Sequence, residues 1–515
     1  GVVKVAKFAR LLRSHKAEIL LLLAASALIY GGEAFLHPYL IKLIFDQAVG
    51  RGEIWQLLLL ASLYLGMGIA VNVLSCGVDL WERSLQNRVI KTVTTDLLAA
   101  YYRKDYKTVL ANGEGYFIGR VYRDAFEGIA PVIPLIRGMV NNLVMVLVFL
   151  GMMLYLSWQG TLFLIAAMPI VAYMSRVFGK KIERVSRHER EDEGVALSVL
   201  NQCLQAFKLV RIGLLQEKVL MIYRRAMEKF LGTAFRNYKL ATVYRTVTSA
   251  TMVWADFLSM VVGAAMVIRG ALSFGGYLAF VNVFWRALST VTGLFRPLAE
   301  LHRSGEIADR IQSFLDETAP EYFVRGNSVS LRNVTFSYND VPVLKKINLI
   351  ARPGERLLIV GPNGAGKTTL ANILAGYLAP DEGEVVLPAK RSCVTIPIEF
   401  PPIKVQDLPI EKRLLRAFSL EGFEEELADN LSAGQKQKLA IALALSQDAE
   451  LFVFDEPLNN IDLESMDVVM DYIIERTRGK ILIVIMHGGE KYYKLFDRML
   501  TLENGSIKEH REVCS

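Results

Sequence analysis

Residues 356–376 read RLLIVGPNGAGKTTLANILAG, an apolar run, a glycine-rich turn and then a helical pattern. RLLIV is typical of a buried strand, and KTTLANILAG opens a helix. The glycines let backbone N–H groups converge on phosphate oxygens at the N-terminus of that helix. Lys367 can reach terminal phosphates and the Thr368 hydroxyl can bind magnesium, so the stretch predicts a nucleotide site rather than an empty strand–helix turn.

Two further apolar runs end in groups that can act on a phosphate. ELFVFDEP (450–457) ends with Asp455 and Glu456, and ILIVIMH (481–487) ends with His487. Ligands of open α/β sheets lie at the carboxyl ends of the strands. We therefore expect Asp455 to hold Mg²⁺ through water, Glu456 to deprotonate the attacking water, and His487 to contact the terminal phosphate.

The chain before this region is apolar enough to span a membrane. Of the 515 residues, 52% are hydrophobic, and most of the apolar segments approach the ~20 residues that a helix needs to cross hydrocarbon. The sequence predicts six spans: Ala17–Ile44, Ile54–Cys76, Val132–Leu156, Thr161–Val177, Thr246–Ile268 and Tyr277–Leu294. A soluble protein is therefore excluded.

Charge between the spans predicts their orientation. Basic residues precede the first span and follow the second and fourth, as in KKIERVSRHER (180–190), whereas the other connections carry at most one Arg. The positive-inside rule then places both termini in the cytoplasm. The net charge of +7 is explained in the same way, and nucleic-acid binding is not favoured, because the basic residues flank apolar segments. The four scattered cysteines predict neither a disulfide framework nor a zinc site.

The pattern changes near DETAPEYFVRGNS (316–328), where short β runs begin to alternate with helices. We expect two domains: an all-α membrane bundle of six spans with long cytoplasmic helical extensions over residues 1–318, and an α/β nucleotide-binding domain with a phosphate loop over 319–515.

NLSAGQKQKLAIALAL (430–445) closely resembles the signature sequence of ATP-binding-cassette (ABC) proteins. The whole chain is similar to an exporter-type half-transporter, with six spans followed by one nucleotide-binding domain, and its motifs occur in the family's order. Further likeness lies in HPYLIKLIFDQAV (37–49) and GYFIGRVYRDAFEGI (115–129). The resemblance implies that both ATP and Mg²⁺ are bound.

The resemblance also assigns residues. Tyr338 matches the aromatic that stacks on adenine, Asp455 and Glu456 match the magnesium-site acid and the catalytic base, and His487 matches the switch histidine. The stretch LNNID (458–462) departs from the family's usual dimer-contacting loop. The remaining matched positions are Gly361, Pro362, Asn363, Gly364, Ala365, Gly366, Lys367, Thr368 and Thr369 in the phosphate loop, and Ser432, Ala433, Gly434 and Gln435 in the signature.

The signature itself predicts a dimer. Ser432 and Gly434 precede a helical run, so that a hydroxyl and backbone N–H groups form an anion site at a helix N-terminus. This site cannot face the phosphate loop of its own domain if both lie on one rigid face. The resemblance implies two domains head to tail, from two identical chains or from a related partner.

Two departures from the family concern coupling. The family's glutamine after the next strand would fall near Ile398 in CVTIPIEFPPIKVQDLPI (393–410), and Gln406 is a candidate only if the loop is rebuilt. The helical region before the signature is shortened, with EGFEEELADN (421–430) either its remnant or an acidic solvated helix face. Short coupling helices are expected near Tyr106–Gly115 and Leu204–Glu217.

Polar residues inside the spans are the only indication of a transported molecule: Glu33, Asn141, Asn142, Asp256 and Arg286. A charge in hydrocarbon costs roughly 2.5–3.5 kcal/mol on insertion scales, so these groups should face a cavity or each other. They form either a polar substrate path or a structural pair, such as Asp256 with Arg286. Lipid, amphipathic drug and peptide all stay open as substrates.

The leading hypothesis is ATP-driven export across a membrane, the inner membrane of a bacterium by family likeness, with ATP hydrolysis driving the cycle. The alternatives are an ATP-gated regulatory or channel-like membrane protein with weak coupling, and one half of a heterodimeric exporter.

Overall fold

The structure, a computed structural model, describes Phe8 and residues 10–510, without the side chain at 510 and some side chains between 163 and 183 and between 292 and 299. It divides into two compact units. The first unit runs up to Leu98 and resumes over Gly119–Leu315, and the second unit comprises Ala99–Ile118 together with the chain from Asp316 onward. A piece of the predicted membrane domain therefore belongs to the second unit.

Helices, most of them long, make up nearly all of the described chain before residue 316. They are α1 (Lys16–Leu43), α2 (Ile54–Tyr101), α3 (Tyr106–Ile118, broken at Gly113), α4 (Val132–Leu156), α5 (Trp158–Gln205), α6 (Phe207–Ile212), α7 (Gln216–Ile268), α8 (Phe274–Thr292) and α9 (Phe295–Asp316).

Among the described residues, four helical stretches are long and apolar enough to cross a membrane: Arg13–Val49, Ile54–Tyr101, Tyr106–Leu156 and Gln216–Ile268. They contain the first, second, third and fifth predicted spans. The fourth segment lies within α5, and the sixth begins within α8 and extends two residues past its end at Thr292; both stay predictions as spans.

Aromatic packing and polar contacts hold the first unit together. Phe149 of α4 is fully buried with Phe280 and Phe284 of α8. Beyond the apolar segments, α5 and α7 run on as a helical pair, in which Thr233 donates to Asp192 over 2.7 Å. These continuations are the helical extensions that the sequence predicts.

The second unit alternates strands and helices. Its strands are β1 (Val324–Arg325), β2 (Val329–Tyr338), β3 (Val341–Ala351), β4 (Arg356–Val360), β5 (Glu382–Leu387), β6 (Arg391–Val394), β7 (Leu451–Asp455), β8 (Ile481–Met486), β9 (Arg498–Glu503) and β10 (Ser506–His510). Its further helices are α10 (Lys367–Leu374), α11 (Lys412–Ala417), α12 (Ala433–Leu445) and α13 (Leu463–Arg476).

Two sheets organise this unit. A four-stranded sheet has the order β1-β5-β2-β3, and a six-stranded sheet has the order β10-β9-β4-β8-β7-β6. In the larger sheet β4 pairs in parallel with β8 and β9, and β7 pairs in parallel with β6 and β8. Every residue of β7 and β8 is buried, as expected for parallel strands covered on both faces.

Separate apolar clusters cover the two faces of the larger sheet. Leu370, Ile373 and Leu374 of α10 belong to the cluster shared with the smaller sheet, whereas Leu439 of α12 and Val469 of α13 belong to the other cluster. This sandwich fixes the carboxyl ends of β4, β7 and β8 at one edge.

The expectation that EGFEEELADN forms a helix face is wrong, since only Ala428–Asn430 makes a 3₁₀ turn there. Gly422 takes a left-handed φ of 89°, which stops a helix. The N–H groups of Val405 and Gln406 then bond the carbonyls of Glu426 and Glu424 over 3.0 Å each, so this stretch pairs with the preceding chain instead.

Candidate active site

The phosphate loop joins β4 to α10 in the predicted place. Gly364 and Gly366 have φ values of 83° and 98°, a region that L side chains rarely adopt. Gly366 caps α10, whose first N–H groups have no partner within the helix. The predicted loop residues therefore form a backbone cradle suited to an anion.

Lys367 lies beneath this loop and is only 7% exposed. Its Nζ donates to the carbonyls of Gly361 and Pro362 over 2.7 and 3.3 Å, and lies 3.4 Å from Oε1 of Glu456. A buried ammonium held by carbonyl and carboxylate oxygens is poised to receive a phosphate group.

Asp455 ends β7 as a fully buried carboxylate. Neither of its oxygens has a hydrogen-bond donor in bonding geometry within the described chain. Burial raises the pKa of Asp455 to about 6, although the nearby Thr368 hydroxyl and Lys367 act to lower it. An orphaned buried carboxylate beside a hydroxyl is the kind of oxygen set that Mg²⁺ prefers, so these residues fit the ion.

Glu456 follows with a left-handed φ of 49°, a conformation that costs about 1–2 kcal/mol for a residue with a side chain. Its N–H donates to the carbonyl of Ile485 over 2.8 Å, and its Oε2 accepts from the backbone N–H of His487 over 3.2 Å. The side chain is 11% exposed. These contacts fix a carboxylate beside Lys367, where strain at a functional position is expected.

His487 follows β8 and points back to the phosphate loop. Its Nδ1 lies 3.2 Å from the carbonyl of Gly361, so in this arrangement Nδ1 carries the proton and donates. The structure thus brings Lys367, Asp455, Glu456 and His487 together from three neighbouring strand ends.

The signature turn begins α12. Ser432 accepts from the Gln435 N–H over 3.3 Å, and the Gln435 side chain accepts from the Ser432 N–H over 3.0 Å, which is a capping box. Ser432 and Ala433 are exposed. Only glycine fits at Gly434, because a Cβ there would lie 2.4 Å from the carbonyl oxygen of Asn460.

Sequence reasoning missed two side chains of the same helix. Gln437, 4% exposed, donates to the backbone carbonyl of Glu456 over 3.2 Å. Lys438 lies 3.6 Å from Asp462. Both contacts tie α12 to the loop that carries Glu456. Helical spacing from Gly434 places them on the strand side, but the sequence does not name their partners.

Tyr338 ends β2 as a half-buried side chain. Its ring packs edge-on against that of Phe336, with centroids 4.8 Å apart and planes at 80°. Asn339 and Asp340, with φ values of 45° and 64°, turn the chain directly into β3.

Neither of the two residues considered for the place of the family's coupling glutamine, Ile398 and Gln406, brings a side-chain amide to Asp455. Ile398 packs against the apolar cluster that includes α12. Gln406 is exposed in a 3₁₀ turn over Val405–Asp407.

The predicted pair between Asp256 and Arg286 is wrong, because Arg286 of α8 instead donates to Glu33 of α1. Its guanidinium carbon also lies 5.2 Å from the centroid of the Phe149 ring. Asp256 is half-buried and makes no ion pair within the described chain.

The other polar residues of the bundle link helices as well. Asn141 donates to Ser26 over 2.8 Å, whereas Asn142 is half-buried. His37 lies 2.7 Å from the Tyr64 hydroxyl. Polar contacts of this kind join helices inside a bilayer.

Comparison with known proteins covers both units. Residues 19–290 match the ABC transporter transmembrane region, and residues 344–459 match the ABC transporter domain. The chain is similar to the ATP-dependent lipid A-core flippase of Desulfotalea psychrophila, at 23% identity over 93% of this chain and 91% of that protein. Flippases of the same name resemble it in Cupriavidus metallidurans, at 24% over 97% and 91%, and in Ralstonia nicotianae, at 22% over 98% and 93%.

Proposed function

The chain belongs to the ABC transporters, as an exporter-type half-transporter, and we propose that two such chains hydrolyse ATP to move an amphipathic, lipid-like molecule across a membrane. The observation that carries this proposal is the meeting of Lys367, Asp455, Glu456 and His487 at neighbouring strand ends.

The phosphate loop and Lys367 would bind the terminal phosphates of ATP. The loop supplies backbone N–H groups at the start of α10, and Lys367 supplies a buried positive charge. In the present structure the Lys367 ammonium donates to two uncharged carbonyl groups. A phosphate that enters the loop would replace these acceptors with charged oxygens. Tyr338 would stack on the adenine.

Asp455 and Thr368 would hold Mg²⁺, since their oxygens fit that ion. Bound there, the ion would neutralise charge on the phosphates. Asp455 would then be fully ionised, because a cation offsets the burial that now raises its pKa.

Glu456 would accept the proton of the attacking water, and His487 would lie against the terminal phosphate. The hydrogen bond from the His487 N–H to Glu456 fixes the two groups relative to each other. Gln437 would hold the backbone of Glu456 in its strained conformation.

A second half-transporter would complete each site. Ser432 and Ala433 are exposed at the start of α12, where a hydroxyl and N–H groups can receive a phosphate of the partner's nucleotide. We favour two identical chains. Light scattering of the chain purified alone should then report a dimer, whereas one half of a heterodimer would be a monomer that does not hydrolyse ATP.

The transported molecule is proposed from the relatives. They are named lipid A-core flippases, and an amphipathic lipid fits a bundle whose few polar groups lie among apolar helices. The same relatives support a bacterial inner membrane as the location, and the loop charges support a cytoplasmic place for both termini. Lipids, amphipathic drugs and peptides can be compared by their stimulation of ATP hydrolysis.

Replacing Glu456 by Gln tests the catalytic assignment. The Glu456→Gln chain should bind ATP but hydrolyse it at least about 10²-fold more slowly, since general-base catalysis contributes 10²–10⁴-fold. Glu464→Gln, an exposed position at the start of α13, is the matched control and should leave hydrolysis unchanged. Undiminished turnover by Glu456→Gln would remove the assignment.

A second candidate is an ATP-gated channel-like protein. It is favoured by Ile398, which packs in an apolar cluster at the position where the family has a coupling glutamine. Uptake of lipid against a gradient by reconstituted vesicles, measured beside ATP hydrolysis, separates the two.

A further inference from the structure

Residues 103–106, which lead into the first expected coupling helix, are held in place by other residues of the second unit. The Ala319 N–H donates to the Arg103 carbonyl over 3.0 Å, and Lys104 Nζ donates to the Glu317 carbonyl over 2.7 Å. The Tyr106 ring packs against that of Tyr377, with centroids 6.2 Å apart. Residues 103–106 thus have a fixed place within the unit that carries the nucleotide site.

Lys107 extends from this anchored segment to the end of β2. Its Nζ lies 5.1 Å from the centroid of the Phe336 ring and 3.4 Å from Oδ1 of Asp381. Oδ2 of Asp381 accepts from the Ser337 N–H over 2.7 Å, and the Asp381 N–H donates to the Thr335 carbonyl over 2.8 Å. One ammonium therefore contacts the last residues of β2 both through a ring and through a carboxylate.

These last residues determine where Tyr338 lies. Phe336 is fully buried, so its ring is a fixed surface, and Tyr338 packs edge-on against it. The left-handed turn at Asn339 and Asp340 follows directly, so no flexible linker separates Tyr338 from β3. A change at Phe336 or Ser337 is passed directly to the Tyr338 ring.

We propose that Lys107 is a positioning residue for the nucleotide base: it holds the end of β2 so that Tyr338 presents its face to adenine. This rests on the proposed function, in which Tyr338 stacks on the base. Binding of the base would then also stabilise the segment around Lys107, which lies between α2 and α4 in the chain. This link does not involve Ile398.

Two physical considerations set the size of the effect. The Lys107–Asp381 pair is about 40% exposed on each side, and exposed ion pairs contribute little by themselves. The Phe336 ring is buried but the Lys107 ammonium is still partly in water, so their contact contributes modestly, enough to change a dissociation constant about two- to fivefold. Coupling is reciprocal: the free energy by which the Lys107 contacts strengthen base binding is also the free energy by which base binding strengthens those contacts.

The test compares Lys107→Met, which keeps the length of the side chain but removes its charge, with Lys107→Arg, which keeps the charge. In Lys107→Met the KM for ATP should rise about two- to fivefold while kcat changes less than about twofold. Lys107→Arg should restore the KM. The matched control is Lys390→Met, which removes another exposed lysine paired with an aspartate, Asp448, at 2.9 Å, and should leave the KM unchanged.

Inorganic tripolyphosphate distinguishes positioning of the base from loss of structure. It occupies a phosphate site but has no base to stack, so its affinity should be equal in the parent and in Lys107→Met. Equal weakening of ATP and tripolyphosphate, an unchanged KM for ATP, or failure of Lys107→Arg to restore it would overturn the proposal.

Hydrogen exchange gives a second readout on the full chain. In the parent, ATP should protect amides of residues 104–112 more than tripolyphosphate does, and in Lys107→Met this difference should vanish. If ATP does not bind the parent at all, the proposed function fails. If ATP is bound and hydrolysed equally by the parent and all Lys107 variants, only the present proposal fails.

Discussion

The two segments of the chain that contain the predicted coupling helices, near Tyr106–Gly115 and Leu204–Glu217, differ in what covers their side chains. The first segment, Ala99–Ile118, belongs to the second unit, and Tyr106 packs against that unit's core. The second segment, 204–217, contains α6 and belongs to the first unit, and most of its large apolar side chains are exposed. Leu209, Ile212 and Leu214 are 70, 81 and 90% exposed.

The difference shows which contacts a single chain satisfies by itself. A short helix that exposes several large apolar residues is typical of a surface that another protein covers. The first segment needs no such cover at Tyr106. We expect the second segment to dock on the partner half-transporter. The first segment of each chain would then contact its own nucleotide domain, and the second segment would contact the partner chain.

Charging the second segment should have the largest effect. Phe207→Asp with Ile212→Asp places two carboxylates in the expected interface, at about 2 kcal/mol or more for each position. The dimer dissociation constant, measured by light scattering, should rise at least about 500-fold, with a parallel loss of lipid-stimulated hydrolysis.

The matched control for that pair is Ile350→Asp, which charges an exposed apolar residue of β3. It should leave the dimer intact. A dimer equally stable in all of these variants would show that the second segment is not an interface. The proposed difference between the two segments would then be wrong.

Removing the anchor of the first segment should have a smaller and different effect. Tyr106→Ala deletes a half-buried ring beside Tyr377, so the second unit of the full chain should lose about 1–2 kcal/mol of stability. Its unfolding midpoint should fall by about 2–8 °C. Tyr106→Phe keeps the ring and should behave as the parent.

The dimer dissociation constant should not change in Tyr106→Ala, because this contact is made within one chain. Weakened dimers with an unchanged unfolding midpoint would mean that the two segments have exchanged roles.

Sequence alone predicted the parts of the fold that depend on local pattern. The phosphate loop between β4 and α10, the acids after β7 and the histidine after β8 lie where strand–turn–helix signals put them. Glycine spacing and unbroken apolar runs determine these features locally, so no distant contact is needed to find them.

What the sequence did not predict depends on contacts between distant residues. Arg286 could pair with either of two carboxylates, and helix packing decided for Glu33. The acidic stretch after α11 has helical composition, yet backbone pairing with the preceding chain overrides it. Gln437 and Lys107 act through partners 19 residues or more away, which spacing does not reveal.

The central claim, that each nucleotide is shared between two chains, can be tested with mixed dimers. One pairs a Glu456→Gln chain with a Ser432→Arg chain, and the other pairs a chain carrying both changes with an unchanged chain. Shared sites leave one intact site in the first dimer and none in the second, so the first should hydrolyse ATP at least about tenfold faster. If each chain completed its own site, the second dimer would be the active one, and that result would contradict the account.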